Sequence, residues 1–271
     1  MIWRKEEMKR LITTSLVLLI TCLSQAHEFW LLSKKFRYKT GEEIKIDLMV
    51  GEGFEGEYWD LNRHQVVKLD LHRLSAVRDL TKMVKSTQGN NLTFKADNVG
   101  TYLFAMQSND AYIELEGDKF NDYLKEDGLD YILDERKKAG TLEKKSTEYY
   151  TRFVKLLVQN GDRTDPTFKK VVGLRYEIVP EQNPYDLKVG DYLQCRVLFE
   201  GKPAAHTMVK VWNRLRDTTF LQNLYTETDG TIRFPISASG PWMVSSVRMV
   251  PSEKEGAEYH SLWTSLVFGI D

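Results

Sequence analysis

The chain has 271 residues, and its 38 basic and 39 acidic side chains leave a formal net charge of −1. This balance excludes the strongly basic surface on which nucleic-acid binding depends. Hydrophobic residues make up 42% of the chain, which is ordinary for a globular protein, and the length suffices for one large domain or two.

Residues 1–26 are predicted to be a signal peptide. A basic start precedes an apolar run from Leu11 to Leu23, which is too short for a bilayer span of about 20 residues. Ser24-Gln25-Ala26 follows, with the small residues Ser24 and Ala26 at positions −3 and −1 of the proposed cleavage site. We therefore expect cleavage after Ala26, a mature chain that begins at His27, and location in the periplasm.

Three alternatives to this interpretation remain open. Glu6 and Glu7 are unusual in a signal-peptide start, so translation could begin at Met8 instead of Met1. Cys22 could carry a lipid anchor, although Thr21 before it fits the lipid-attachment motif poorly. The third alternative is an apolar segment that stays uncleaved as an anchor.

Residues 27–117 are predicted to form an N-terminal β-sandwich. Apolar side chains alternate with polar ones, as they do along half-buried strands, and the first series is Ile44, Ile46, Leu48 and Val50. Turn-forming residues such as Asn98-Val99-Gly100 separate the successive series. Short strands at this spacing are typical of β-sandwiches.

Residues 118–167 are predicted to form a helical insert and a linker. From Asp118 to Gly140 the apolar residues recur at helical spacing, and Gly128 and Gly140 can end two short helices. Thr147 could cap a third helix, whose apolar stripe ends before Gly161. The polar stretch after that glycine then forms the linker.

Residues 168–271 are predicted to form a C-terminal immunoglobulin-like or transthyretin-like β-sandwich. Alternation recurs from Leu193 to Phe199, and Asp229-Gly230 between two strand-like runs indicates a hairpin. Cys195 in the alternating run is predicted to be a buried apolar residue. Since Cys22 leaves with the signal peptide, no intrachain disulfide is expected. The predicted fold class is therefore mainly β, with two β-sandwiches and a helical insert between them.

His27 is the first candidate metal ligand. As a mature N-terminal residue it would offer an α-amine and an imidazole, which together chelate copper, nickel or zinc. A second ligand is needed, and we take His64 as the candidate, although the sequence does not show which imidazole approaches His27. The other histidines are His72, His206 and His260, and no two of the five have the spacing of a preformed site. The alternative is that His27 simply starts the first strand.

Acidic residues cluster around the helical insert. They could supply oxygen ligands to calcium, but they lack the regular spacing of a calcium loop, and a solvated helix face is the simpler interpretation. Known enzyme motifs, such as Gly-x-Ser-x-Gly and His-Glu-x-x-His, are missing, so binding is favoured over catalysis. The acidic residues are Glu114, Glu116, Asp118, Asp122, Glu126, Asp127 and Asp130.

The sequence resembles the bacterial family of domain of unknown function 4198 over nearly the whole mature chain. Four groups of residues carry the resemblance. They are His27-Glu28-Phe29-Trp30-Leu31; Ala111–Leu115 with Lys119–Leu124 and Glu126–Asp130; Tyr149–Arg152 with Lys155; and Glu177–Pro180 with Pro184-Tyr185, Gly190-Asp191, Val197–Pro203, Gly240–Val244 and Ser261–Phe268.

The resemblance implies an exported, β-rich protein that is loosely described as a periplasmic component of nickel or cobalt uptake. The leading hypothesis is thus an accessory protein that binds nickel or cobalt, with copper or zinc as alternatives, and that serves a membrane metal-uptake system. A metal-free interaction or ligand-binding module of the cell envelope is the alternative. A copper-dependent oxidative enzyme that uses His27 is the least favoured, because nothing else in the chain resembles such enzymes.

Overall fold

The computed structural model describes residues 28–271. The predicted signal peptide and the candidate ligand His27 lie outside the described residues. The chain is mainly β, with 52% strand and 12% helix, which confirms the predicted fold class. Within the described range no helix is long and apolar enough to cross a membrane.

The strands of residues 28–271 form three sheets. The N-terminal sheet contains β1 (Glu28–Ser33), β3 (Glu43–Glu52), β4 (Glu55–Tyr58) and β7 (Leu92–Lys95). The C-terminal sheet contains β11 (Tyr176–Pro180), β12 (Tyr192–Phe199), β13 (Lys202–Pro203) and β16 (Thr231–Pro235). The central sheet contains β2 (Arg37–Tyr38), β5 (Val66–Arg73), β6 (Ala76–Asp79), β8 (Gly100–Ser108), β9 (Ala111–Leu115), β10 (Ser146–Asn160), β14 (Met208–Leu215), β15 (Thr218–Tyr225), β17 (Gly240–Pro251) and β18 (Tyr259–Ile270).

The central sheet contributes to the cores of both sandwiches. Its strand β10 runs parallel to β18 and antiparallel to β8. Val154, Leu156 and Val158 of β10 pack in the core of the N-terminal sandwich, whereas Phe153 and Leu157 pack in the core of the C-terminal sandwich. The two sandwiches therefore share one sheet, because alternate side chains of a strand point to opposite faces.

The third helix predicted after Thr147 is wrong, because Ser146–Asn160 forms the strand β10. Nearly all of its side chains are buried, on both faces of the sheet, so they show no polar–apolar alternation that would mark a strand. The segment is also rich in β-branched and aromatic residues, which favour strands. The predicted segments 27–117, 118–167 and 168–271 all supply strands to the central sheet, and their boundaries stay a prediction.

The two short helices of the insert are confirmed as α1 (Gly117–Glu126) and α2 (Asp130–Ala139). Gly140 ends α2 with a φ of 65°, which is the left-handed conformation of a common helix C-cap. Apolar residues of both helices and of the link between them pack on the central sheet, on the face that also receives the N-terminal sheet. They are Phe120, Tyr123, Leu124, Leu129 and Ile132, against Val247, Met249 and Trp263.

The hairpin predicted at Asp229-Gly230 is wrong in its pairing. The local turn does form, because Gly230 has a φ of 77° and Oδ1 of Asp229 accepts a hydrogen bond from the N–H of Thr231 at 3.0 Å. However, β15 before the turn belongs to the central sheet, and β16 after it belongs to the C-terminal sheet. Turn chemistry specifies a chain reversal but not the sheet that receives the next strand.

Cys195 is fully buried in the core of the C-terminal sandwich, as predicted. Burial raises the pKa of its thiol, so the thiolate that would react is suppressed. The residue therefore acts as a small apolar packing group.

Candidate functional site

His64 lies in the loop after β4, half-buried against aromatic side chains. Its ring stacks on Trp59, with the centroids 5.2 Å apart and the planes within 10° of parallel. Trp59 in turn packs edge-on against Phe29 of β1, with the centroids 4.8 Å apart. The indole of Trp59 therefore lies between the candidate ligand His64 and Phe29, the second residue of β1.

Backbone hydrogen bonds hold this loop in place. The N–H of Trp59 donates to the carbonyl of Leu48 at 2.8 Å, and the N–H of His64 donates to the carbonyl of Asp60 at 3.1 Å. The carboxylate of Asp60 also accepts from the N–H of Asn62 at 2.9 Å, which is the geometry of an Asx turn. The imidazole is thus presented on an ordered support.

The pKa of His64 is lowered from its ordinary value. Burial is the main cause, and the positive charges of Arg152 and Arg63 add to it, while Asp60 opposes them. Both effects disfavour the imidazolium form. At neutral pH the ring is therefore neutral and keeps a lone pair, which is the form that binds a metal ion.

Arg152 of β10 is a buried cation beside the same rings. Its guanidinium carbon lies 4.8 Å from the centroid of Tyr150, 5.3 Å from Phe29 and 5.9 Å from Trp59. Within residues 28–271 it forms no salt bridge, and its Nε has no hydrogen-bond partner. Cation–π contacts with three rings offset part of the cost of burying this charge. We call Phe29, Trp59, His64, Tyr150 and Arg152 the aromatic site.

The opposite side of β1 carries a buried cluster of charges. Glu28 and Phe29 are consecutive, so their side chains leave the strand on opposite sides. Nζ of Lys210 in β14 lies 3.4 Å from Oε1 of Glu28 and 2.7 Å from Oδ1 of Asp127, which follows α1. These groups line a cavity of about 10 Å³, a volume that admits one water molecule. We call Glu28, Asp127 and Lys210 the acidic site.

Burial controls the carboxyl groups around the acidic site. It raises the pKa of Glu28 to about 7, although the charge of Lys210 opposes the shift. Glu148 of β10 is also buried and accepts hydrogen bonds from the hydroxyls of Ser261 at 3.1 Å and Tyr123 at 3.4 Å. Burial raises its pKa to about 8. Glu28 of β1 and Glu148 of β10 therefore both exchange protons close to neutral pH.

The remaining histidines lie in other surroundings. Nε2 of His260 is 2.7 Å from the hydroxyl of Thr151, on the face of β10 opposite to Arg152. His206 is exposed in the loop before β14, and His72 is buried within β5. Among residues 28–271, no three His, Cys, Asp or Glu side chains are grouped so that they could hold a metal ion.

The sequence nominated His64 as a candidate, which stays a prediction, and it did not mark most of the groups that surround this residue. The acidic residues near the helices are exposed as expected, except Asp127, which is buried in the acidic site. Glu28, Glu148 and Arg152 gave no motif or spacing that marks them, because they meet only through sheet packing. The only feature of the sequence that could have drawn attention to Glu28 is its position next to the candidate ligand His27.

The fold and this site define a mainly β protein of two sandwiches that share a sheet, with a cluster of aromatic and ionisable groups at the start of β1. The chain belongs to the family "Domain of unknown function (DUF4198)", whose model matches residues 24–249. No curated protein matches the chain.

Solved structures resemble the chain only weakly. A Salmonella alpha-2-macroglobulin is 11% identical, with a TM-score of 0.24, over 92% of this chain and 15% of that one. Alpha-2-macroglobulin of Escherichia coli is 10% identical, with a TM-score of 0.23, over 89% of this chain and 22% of that one. Three N-terminal domains of the outer capsid protein Hoc of bacteriophage RB49 are 8% identical, with a TM-score of 0.20, over 90% of this chain and 71% of that one. This chain thus spans a small part of the macroglobulins, and such scores carry no argument about its function.

Proposed function

We propose that the chain is an exported, periplasmic metal-binding protein that holds nickel or cobalt at the start of β1 and serves a membrane uptake system. The observation that carries the proposal is the stack of His64 on Trp59, which packs against Phe29. His27 directly precedes Glu28, the first residue of β1, in the sequence.

The chemistry of the donors fits a borderline transition metal. Two imidazoles and the α-amine of a processed His27 are nitrogen ligands, which suit nickel, cobalt, copper and zinc. The lowered pKa of His64 keeps its ring neutral at neutral pH, so little proton release opposes binding.

Equilibrium dialysis of protein that begins at His27 tests the proposal against nickel, cobalt, copper and zinc. We expect a dissociation constant below about 10 μM for nickel or cobalt. His64→Gln should weaken binding at least tenfold, and so should one extra Met before His27, because it converts the amine into an amide. His206→Asn is the matched control, since His206 is exposed in another loop.

The outcomes separate the candidate ligands. Equal affinity with and without the extra Met would exclude the α-amine, and equal affinity in His64→Gln would exclude His64. No binding tighter than the stated limit by the correctly processed protein would reject the metal-binding function itself.

A metal-free ligand-binding module is the second candidate, and Arg152 favours it. A buried guanidinium that forms no salt bridge within the described range is suited to a carboxylate, which it can bind through two parallel hydrogen bonds. Thermal-shift measurements with small aromatic carboxylic acids and with the corresponding amides would test this candidate. It predicts stabilisation by the acids alone, and loss of that stabilisation in Arg152→Gln.

A further inference from the structure

Strand β15 ends the central sheet and carries no charge or proline that would protect this edge. It contacts the N-terminal sheet through the hydrogen bond that the Thr219 hydroxyl donates to the carbonyl of Gly53. Its partner on one side is β14, with all eight residues in register, and no described strand pairs with its other side. The sequence Thr218–Tyr225 contains no charged residue and no proline. Natural proteins usually protect such an edge with charges, prolines or bulges, because its free N–H and C=O groups invite another strand.

The side chains of β15 add apolar surface to this free edge. Phe220 is 51% exposed, Leu221 is 43% exposed and Tyr225 is 58% exposed. The other edge of the sheet, β6, differs: it has only four residues and includes Arg78 and Asp79. The two edge strands of the central sheet thus differ in length and charge: β6 is short and charged, whereas β15 is long and uncharged.

We propose that β15 pairs antiparallel with β15 of a second copy of this chain, which joins two central sheets into one. A strand without charges meets no repulsion when it is placed beside itself, and a two-fold interface requires only a self-complementary surface. Arg216 precedes the strand and Glu227 follows it, and both are exposed. Antiparallel pairing brings the start of one copy close to the end of the other, so these opposite charges approach each other.

Symmetry and charge select one register. A two-fold axis normal to a sheet pairs residues of the same parity, because residues directly opposite share a face. The centre that overlaps the strands best is therefore Leu221 or Gln222. A centre at Gln222 would place Asp217 opposite Glu227, and like charges in that position are destabilising. A centre at Leu221 avoids this repulsion and places Leu221 against its own copy.

The oligomeric state in solution tests the proposal. Sedimentation equilibrium of protein that begins at His27, at about 1 to 100 μM, should show a concentration-dependent dimer, since a single strand pair buries less area than a permanent interface. Leu221→Lys places two ammonium groups face to face and should weaken the dimer at least tenfold. Val77→Lys on β6 is the matched control, because Val77 is 57% exposed on the opposite edge.

Disulfide trapping tests the register independently of affinity. Leu221→Cys should form a cross-linked dimer under mild oxidation, because directly opposed residues in paired strands bring their Cβ atoms to about 4.5–5.5 Å. A small approach of the two edge strands then reaches the roughly 3.5–4.5 Å that a disulfide needs. Cys195 is fully buried and does not interfere. A monomer at every concentration, or equal cross-linking of Val77→Cys, would overturn the proposal, even if β15 were found to bind a peptide of another protein.

Discussion

Lys155 of β10 and Glu177 of β11 form an ion pair that is closed to solvent. Nζ and Oε1 lie 2.8 Å apart, and the two side chains are 0% and 1% exposed. The carboxylate also accepts the N–H groups of Val172 at 2.8 Å and Gly173 at 3.0 Å. The pair therefore ties the central sheet to the C-terminal sheet, and its polar atoms are satisfied on both sides.

Removal of one member of this pair should be strongly destabilising. Lys155→Met leaves the Glu177 carboxylate buried without a counter-charge, which typically costs about 3–5 kcal/mol. The double variant Lys155→Met with Glu177→Gln should recover part of this loss, because it leaves no buried charge. The recovery is incomplete, because the N–H groups of Val172 and Gly173 bind different oxygens of the Glu177 carboxylate and the amide offers only one. Urea unfolding measures both effects. A single variant that matches the parent in stability would contradict the buried pair.

Glu148 should make the chain less stable as pH rises. Its pKa is about 8 in the folded chain, against an ordinary value of 4.5, so between these values the folded state binds a proton that the unfolded state has lost. The free energy of unfolding must then fall with rising pH across that window. Glu28, with a folded pKa of about 7, contributes in the same direction.

The variant Glu148→Gln isolates this effect. It should gain stability relative to the parent between about pH 5 and pH 9, by on the order of 3 kcal/mol. Glu126→Gln is the control, because Glu126 is exposed at the end of α1 and should show no such trend. Parallel stability curves for the parent and Glu148→Gln would show that Glu148 is ionised in the folded chain.

The positive charge of Arg152 should lower the pKa of His64. Burial lowers the pKa of this imidazole first, and the guanidinium charge adds to the effect. Arg152→Gln should therefore raise the pKa of His64, as followed by an NMR titration of its ring protons. His260 serves as the internal reference, because Arg152 is not among the charges that act on it. An unchanged His64 pKa would place the two side chains too far apart for the proposed site.

Two glycines in the insert should differ in their tolerance of alanine. Both have positive φ, 67° at Gly128 and 65° at Gly140, but only at Gly128 would a Cβ meet a neighbour, 2.5 Å from Cβ of Met208. Gly140→Ala should cost about 1–2 kcal/mol from backbone strain alone. Gly128→Ala should cost more, about 3 kcal/mol, because Met208 must also move. Equal losses in thermal or urea unfolding would contradict this contact.

Local patterns predicted those parts of the fold that local interactions decide. The alternation around Ile44 and Leu193 marked strands with one face in a core, and the glycines at 128 and 140 marked the ends of two helices. The same pattern did not predict the strand β10, because β10 is buried on both faces and its sequence shows no polar–apolar alternation. Asp229-Gly230 specified a turn, but the choice of sheet for β16 depended on distant strands.

The sequence by itself determined a mainly β chain with a helical insert, a buried Cys195, and His64 as one of a few imidazoles that could act at a site. Only the tertiary structure decided which groups surround that imidazole. Trp59, Phe29 and Arg152 come from three separate stretches of chain and meet because β1 packs across the central sheet. Burial then shifts the pKa values of His64, Glu28 and Glu148, and burial is a property of packing that no spacing along the chain records.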